Sequence, residues 1–229
     1  MELELKRGGR TARVETLGGE LVSYRDERGL EYIWGGDPAY WPGRNPLLFP
    51  IVGMLKEGKI RFDGREYAME RHGFARRREF TPAARGEDWV RLELRESAET
   101  LALYPYPFRL AVEQRLTDTG FSTAVTVANP GEGPLPFCLG AHTGFRCPLE
   151  AGERFEDYEL VFPERESCPT LLLRDGLLDR PAARPCLEDT DTLPLDYRWF
   201  DALDTLIFEG LRSRSVALRS RKSGRGVRV

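Results

Sequence analysis

Short runs of alternating apolar and polar residues, each closed by turn residues, make up most of this chain. Two of them, Lys59 to Phe62 and Arg65 to Ala68, flank the dipeptide Asp63-Gly64. This dipeptide is typical of two-residue hairpin loops, because both turn positions need a positive φ. The pattern therefore predicts a β-hairpin across residues 59–68.

A second hairpin is predicted farther along the chain. The alternating run from Phe108 to Thr117 leads through the turn Asp118-Thr-Gly120 into Phe121 to Ala128, which is rich in β-forming residues. The same composition predicts four further strands: Trp89 to Leu94, Tyr158 to Phe162, Thr205 to Phe208 and Ser215 to Leu218.

Little of the sequence predicts helix. Only Glu96 to Leu103 has a helical pattern, and it is brief. The stretch from Glu164 to Pro194 carries many prolines and charges, so we predict long loops there. The 23 glycines and 16 prolines are distributed evenly and form no linker. We therefore expect residues 1–229 to form a single all-β domain of the sandwich type.

Composition and charge disfavour several functional classes. The formal net charge of −3 offers no surplus of positive charge, so we expect no nucleic-acid partner. No apolar run approaches the roughly 20 residues of a membrane helix, and the N terminus lacks the apolar core of a signal peptide. We therefore expect a cytoplasmic protein without a membrane partner. The four cysteines fit no zinc or redox motif, so reduced thiols are expected, although a disulfide between two of them stays open.

The chain has two histidines, His72 and His142, so a histidine-based mechanism must use one or both. Glycine and phenylalanine follow each of them closely, which allows a ligand to approach beside a flat apolar wall. Taken alone, a histidine in such a context is more often a hydrogen-bonded structural residue than a functional one, and the local sequence leaves both interpretations open. Two histidines are too few for a typical zinc site without further ligands, so we expect no metal.

Arg44 and Asp204 are further residues whose surroundings allow a binding role. Arg44 follows Trp41 by three positions, and its planar donors suit sugar hydroxyls or phosphate, although a surface salt bridge fits the same sequence. Asp204 fits either a turn or an acceptor for hydroxyl groups. The sequence contains neither a phosphate-binding glycine loop nor a Gly-x-Ser-x-Gly motif.

Several segments together resemble the aldose 1-epimerase family, in particular its LacX-like branch. Asn45-Pro-Leu-Leu-Phe-Pro-Ile-Val-Gly53, the segment from Gly58 to Tyr67 and His72-Gly-Phe-Ala-Arg76 follow one another as in the N-terminal half of that family. The segment from Asn129 to Pro148, with Gly140-Ala-His142, resembles its central strand and the turn that carries the catalytic histidine. The resemblance extends over essentially the whole chain.

The resemblance implies a galactose-mutarotase-like β-supersandwich that binds a sugar and interconverts its α and β anomers without a cofactor. His142 would be the catalytic acid that protonates the ring oxygen, since an imidazole gives and takes protons near neutrality. His72 would hydrogen-bond the sugar, Arg44 would help to bind it, and Asp204 would accept from its hydroxyls. Arg76 would bind an anionic substituent such as a sugar phosphate.

Two departures from the family pattern accompany the resemblance. Thr143-Gly144 replaces the Pro-Ala that commonly follows the family's catalytic histidine, and we expect this to change loop detail only. The family's base is a glutamate on a later strand; we expect the chain to stop at Val229 before that strand, and Glu209 not to replace the base. The loss of late strands would leave an open sheet edge. Three alternatives follow: the remaining strands close the sheet differently, a second copy in a homodimer covers the edge, or the sequence is incomplete.

The sequence therefore leaves alternative functions open. One is a 1-epimerase acting on a hexose or hexose phosphate, and another is a non-catalytic carbohydrate-binding or regulatory homologue without the general base. A third is a folded relic whose partner or missing segment determines its role. The first two share a small-molecule sugar as the partner.

Overall fold

The structure is a computed structural model that describes residues 1–201 and 203–229. It divides into two compact units, residues 1–146 (unit 1) and 147–229 (unit 2). Strands account for 47% of the residues and helices for 8%, which confirms the all-β class. The single-domain organisation of the chain stays a prediction.

Unit 1 consists of short strands, one α-helix and two 3-10 turns. Its sheets have the strand orders β1-β2-β3, β10-β9-β8-β7, β11-β4 and β5-β6. The strands are β1 Glu2–Arg7, β2 Arg10–Glu15, β3 Glu20–Arg25, β4 Leu47–Leu48, β5 Lys59–Phe62, β6 Arg65–Ala68, β7 Thr81–Arg85, β8 Trp89–Arg95, β9 Arg109–Leu116, β10 Phe121–Ala128 and β11 Gly140–Ala141; the helix is α1 Ala98–Leu103, and the 3-10 turns are Lys56–Gly58 and Ala75–Arg77.

Both predicted hairpins are confirmed. Strands β5 and β6 pair up to Phe62 opposite Arg65, and the turn residues Asp63 and Gly64 have φ values of 47° and 80°. Strands β9 and β10 pair antiparallel along their whole length. The predicted helix is also present as α1, which begins after Ser97, whose side chain accepts the N–H of Thr100 as an N-cap.

An aromatic group at the centre of unit 1 fixes the segments that matter for function. Phe49, Phe74, Tyr104 and Phe108 are all buried. The Phe49 ring lies 5.2 Å from that of Phe108 and 6.2 Å from that of Phe74, measured between centroids. Burial of such rings is a large part of core stability. The end of β4 and the chain just after His72 are therefore both held against the core.

Unit 2 is built around one four-stranded sheet with the order β13-β12-β14-β15. Phe162, Cys168, Leu187 and Leu193 form its buried core. Its elements are a 3-10 turn Phe155–Asp157, β12 Tyr158–Arg174, β13 Leu177–Pro194, α2 Arg198–Asp201, β14 Ala217–Ser220 and β15 Gly226–Arg228. No helix in the described part of the chain combines the length and apolar character needed to cross a membrane.

The prediction of long loops over residues 164–194 is wrong. That stretch forms most of a long hairpin, β12 and β13, closed by Asp175 and Gly176 at φ values of 52° and 76°. Prolines occur there because β13 is an edge strand and because the register between the two strands shifts repeatedly. A proline needs no ladder partner at an edge or a bulge, so its presence did not exclude a strand.

Of the three strands predicted in unit 2, one is confirmed, one is shifted along the chain and one is wrong. The run from Thr205 to Phe208 is no strand; it contributes a single bridge between Ile207 and Leu171. The predicted strand from Ser215 to Leu218 lies two residues farther along the chain, at Ala217–Ser220. The predicted strand from Tyr158 to Phe162 is present as the beginning of β12.

Candidate functional site

The site of unit 1 begins with two very short paired strands. Strand β11 pairs antiparallel with β4, so that Gly140 lies opposite Leu48 and Ala141 opposite Leu47. His142 follows directly, and its backbone N–H donates to the carbonyl of Pro46 at 3.1 Å. The pairing fixes the position of His142 while its side chain stays exposed.

His72 is brought to the same place by an unusual stretch of backbone. His72 and Gly73 both have positive φ, 68° and 69°. A Cβ on Gly73 would lie 2.2 Å from the Phe49 carbonyl oxygen, so only glycine allows this approach. That carbonyl also accepts the N–H groups of Phe74 and Ala75, at 3.0 and 3.2 Å. The chain is therefore pinned beside β4, with His72 next to it.

The structure brings the two imidazoles together. Their ring centroids are 5.9 Å apart, at an interplanar angle of 52°. The Trp41 ring lies 5.0 Å from the His142 ring in an edge arrangement. One face of unit 1 therefore carries two imidazoles and an indole, the combination of polar edges and apolar wall that suits a sugar ring.

The protonation of His72 follows from its contacts with Gly53. The N–H of Gly53 donates to Nδ1 of His72 at 3.0 Å, while the N–H of His72 donates to the Gly53 carbonyl at 2.8 Å. A backbone N–H can only donate, so Nδ1 carries no proton and the neutral ring has its N–H at Nε2. Partial burial, and then the charges of Arg71 and Arg76, lower the pKa of His72. The ring is therefore neutral near pH 7 and offers a donor at Nε2.

Arg44 lies in a turn that is tied to the segment after His142. Its carbonyl accepts the N–H of Gly144 at 2.6 Å, and its Nε–H donates to the Gly35 carbonyl at 3.3 Å. The terminal guanidinium nitrogens make no hydrogen bond with the described residues. Arg44 therefore forms no salt bridge with the residues that the structure describes, and the guanidinium keeps donors for a ligand.

Thr143 and Gly144, which replace the residues that commonly follow the family's catalytic histidine, pack against this turn. The Thr143 hydroxyl donates to the side-chain oxygen of Asn45 at 2.6 Å. A Cβ on Gly144 would lie 2.7 Å from Cζ3 of Trp41 and 3.0 Å from Cβ of Trp34. Glycine at this position lets the two indoles pack against the backbone beside His142.

Arg76 lies in the 3-10 turn Ala75–Arg77, close enough for its charge to act on His72. One terminal nitrogen donates to the Arg71 carbonyl at 2.9 Å, but the buried Nε has no partner among the described residues. Burial and the neighbouring Arg77 lower the pKa of Arg76. A buried N–H without an acceptor is costly, so this guanidinium is suited to an anion or a hydroxyl oxygen.

Asp204 and Glu209 belong to unit 2. Asp204 is exposed and lines a cavity of about 330 Å3 together with Leu172, Arg184 and Phe200. Glu209 forms an ion pair with Arg180, and this contact lowers the pKa of the Glu209 carboxyl. The assignment of Asp204 to the sugar site stays a prediction. Among the described residues, no three His, Cys, Asp or Glu side chains are grouped to hold a metal ion.

Two residues of the site were not identified from the sequence. Trp41 was noted only as a neighbour of Arg44, because nothing local shows that its ring packs on a histidine 101 positions away in the sequence. Glu20 gave no signal: its carboxylate accepts the backbone N–H groups of Arg44 and Asn45, which lie far along the chain. Both contacts depend on the folded chain.

Comparison with known proteins gives a consistent result. The family model described as aldose 1-epimerase matches residues 1–226. A LacX protein encoded on a plasmid of Lactococcus lactis subsp. lactis is 43% identical, over 100% of this chain and 79% of its own. A galactose mutarotase related enzyme from Lactobacillus acidophilus is structurally similar, with a TM-score of 0.90 and 28% identity over 97% of this chain and 74% of its own. A galactose mutarotase-like protein from Lactobacillus casei gives a TM-score of 0.86 and 28% identity, over 97% and 76%. The expected galactose-mutarotase-like fold is confirmed.

Proposed function

Because the chain belongs to the aldose 1-epimerase family, we propose that it interconverts the α and β anomers of a hexose. The observation that carries this proposal is the pair of imidazoles, with ring centroids 5.9 Å apart and an indole beside them. Opening of a pyranose ring needs a proton carrier at the ring oxygen, and an imidazole performs this role near neutral pH.

In the proposed mechanism, His142 is the acid. Its proton passes to the ring oxygen as the bond from that oxygen to C1 breaks, while a general base removes the proton of the anomeric hydroxyl. The open-chain aldehyde rotates about the C1–C2 bond, and closure on the other face returns both protons. The exposed side chain of His142, at the end of β11, leaves the imidazole accessible to the sugar.

His72, Arg44 and Arg76 are proposed to bind the sugar. Nδ1 of His72 is occupied by the Gly53 N–H, so the Nε2–H is the group that donates to a hydroxyl oxygen. The terminal nitrogens of Arg44 provide further donors. The unpartnered Nε–H of Arg76 supports an anionic substituent, and we propose a hexose phosphate as the form of the substrate that uses it.

A second candidate is a carbohydrate-binding protein that does not catalyse the exchange. It is favoured by the state of Glu209, the acidic residue of unit 2 that was considered as a replacement for the base. The ion pair with Arg180 lowers the pKa of this carboxyl and so makes it a weaker base. Under this alternative the imidazoles and arginines recognise hydroxyl groups without transferring protons.

Anomer exchange measured by NMR separates the two functions. The proposed enzyme accelerates exchange of galactose, glucose or glucose 6-phosphate, and His142→Ala abolishes the acceleration. A binding protein shifts the resonances of the site on titration with sugar but leaves the exchange rate unchanged. An Arg76→Ala variant that loses affinity for the phosphorylated sugar alone supports the anion role. Equal losses for both sugars contradict it.

We further propose a cytoplasmic location and a homodimer. The four free thiols fit a reducing compartment. Strand β10 lies at the edge of its sheet and contains no charged residue, and an edge of this kind can pair with a second chain. Light scattering of the parent and of Thr126→Lys tests the dimer: a charge on β10 is expected to yield monomers.

A further inference from the structure

Glu20 is the first residue of β3, and one oxygen of its carboxylate holds two consecutive residues of the site. Oε1 accepts the N–H of Arg44 at 2.8 Å and the N–H of Asn45 at 2.5 Å. Hydrogen bonds from N–H groups to an ionised carboxylate are among the strongest in proteins. The turn that carries the Arg44 side chain is therefore fixed by a side chain 24 positions earlier.

The turn that Glu20 fixes also holds residues 142–144, the segment that carries His142. The Asn45 side chain accepts the hydroxyl of Thr143, at 2.6 Å. The carbonyls of Arg44 and Pro46 accept the N–H groups of Gly144 and His142, at 2.6 and 3.1 Å. Three consecutive residues, 44–46, thus fix three consecutive residues, 142–144. A displacement of residues 44 and 45 is therefore expected to shift the backbone that carries His142.

The negative charge of Glu20 has a second effect within the same site. It attracts the Arg76 guanidinium, whose pKa is otherwise lowered by burial and by its arginine neighbours. A glutamine at position 20 would keep an oxygen for both N–H groups but would lose this attraction. The anchoring effect of Glu20 and its charge effect are therefore separable by substitution.

We propose that Glu20 is a positioning residue of the sugar site, which anchors the Arg44–Asn45 turn and through it the orientation of His142. The inference rests on the proposed function, because it assigns Glu20 a purpose in sugar recognition. Glu20 itself contacts no reacting atom in this scheme; it acts through the backbone of the turn.

Three variants test this role: Glu20→Ala, Glu20→Gln and, as the matched control, Glu2→Ala on β1, whose carboxylate pairs with exposed Arg13. For galactose exchange, Glu20→Ala is expected to lower kcat/KM about tenfold, the order expected when two N–H groups lose their acceptor. Glu20→Gln is expected to restore kcat/KM to within about threefold of the parent, since its carbonyl oxygen still accepts both. Glu2→Ala is expected to match the parent.

A purely structural contribution would lower the melting temperature of Glu20→Ala but leave kcat and KM of the folded protein unchanged. That result, or failure of Glu20→Gln to rescue activity, would overturn the proposal. Failure of the proposed function is detected separately, as a parent chain that neither exchanges anomers nor binds sugar. In that case the amide resonances of residues 142–144 decide: they shift in Glu20→Ala but not in Glu2→Ala if Glu20 positions them, and unchanged resonances refute the role.

Discussion

Gly144→Ala is the most direct test of the packing around His142. The φ of Gly144 lies outside the left-handed region, so the effect of a methyl group there is steric. The new Cβ would lie 2.7 Å from Cζ3 of Trp41, 3.0 Å from Cβ of Trp34 and 3.2 Å from the Arg44 carbonyl oxygen. Ordinary carbon contacts are about 3.5–4.0 Å. The other two contacts of the new Cβ, Cβ of Trp34 and the Arg44 carbonyl oxygen, are held by the backbone, so the indole of Trp41 must move by about 1 Å.

The expected cost follows from this overpacking. Inserting one methyl group into a well-packed site costs about 1–3 kcal/mol. For a protein of this size each kcal/mol lowers Tm by roughly 2–4 °C, so we expect a drop of about 2–12 °C. Because the Trp41 ring lies 5.0 Å from His142, sugar affinity is expected to fall as well.

Thermal unfolding followed by circular dichroism, together with sugar titration by NMR, measures both effects. Gly133→Ala is the matched control, since a Cβ there meets no atom within 4 Å. The control is expected to be neutral or slightly more stable, because alanine restricts the unfolded chain. If Gly144→Ala shows the Tm and the sugar affinity of the control, the description of the Trp41 packing is wrong.

Three further predictions concern the hydrogen bonds and the protonation of His72 and Glu166. His72→Asn keeps an acceptor for the Gly53 N–H and tolerates the positive φ, but it lacks the Nε2–H. We expect its Tm to stay within about 2 °C of the parent and its sugar affinity, measured by NMR titration, to be about tenfold lower. Unchanged affinity would contradict the donor role. The pKa of His72 in the folded protein is expected to lie below 6.5 in an NMR titration. The contribution of the neutral ring to stability is therefore present above the pKa of the unfolded chain and is lost as pH falls through the pKa of the folded protein. A folded-state pKa above 6.5 would refute the tautomer assignment. Hydrogen bonds from Ser213 and Arg212 lower the pKa of Glu166, so the contribution of this carboxylate to stability is present above about pH 4.3 and is lost as pH falls further. Glu166→Gln is therefore expected to lower Tm near pH 7 and to have nearly the Tm of the parent near pH 3. An equal loss of Tm at both pH values would contradict this.

Local turn chemistry made the hairpins of unit 1 predictable. The two-residue turn requires a positive φ at both positions, and Asp63 and Gly64 adopt it at low cost, so this signal depends little on the rest of the chain. The β12–β13 hairpin closes with the same residue types, Asp175 and Gly176, but the prolines and charges around them favoured loops. Whether a proline breaks a strand depends on the strand's place in the sheet, and that is a property of the tertiary structure.

The sequence allowed prediction of the residues that would contact a ligand, but not of the residues that hold them in position. His72 and His142 were identified because the chain has no other histidine and because each precedes a glycine and a phenylalanine. Glu20 is one of many acidic residues, and its importance comes from two backbone amides that the fold delivers to it. Contacts of a side chain with distant main-chain groups leave no pattern in the sequence, because any residue type supplies the main-chain partner.

The reciprocal pair between Gly53 and His72 means that a main-chain amide selects which edge of the imidazole can donate to a ligand. The polarity of this ring is thus set by the path of the chain between the two residues. A loop of different length between them that removed the Gly53 N–H from Nδ1 would no longer fix the tautomer, so that either ring nitrogen could carry the proton. Relatives that share the site side chains can therefore differ in sugar recognition through loop length alone.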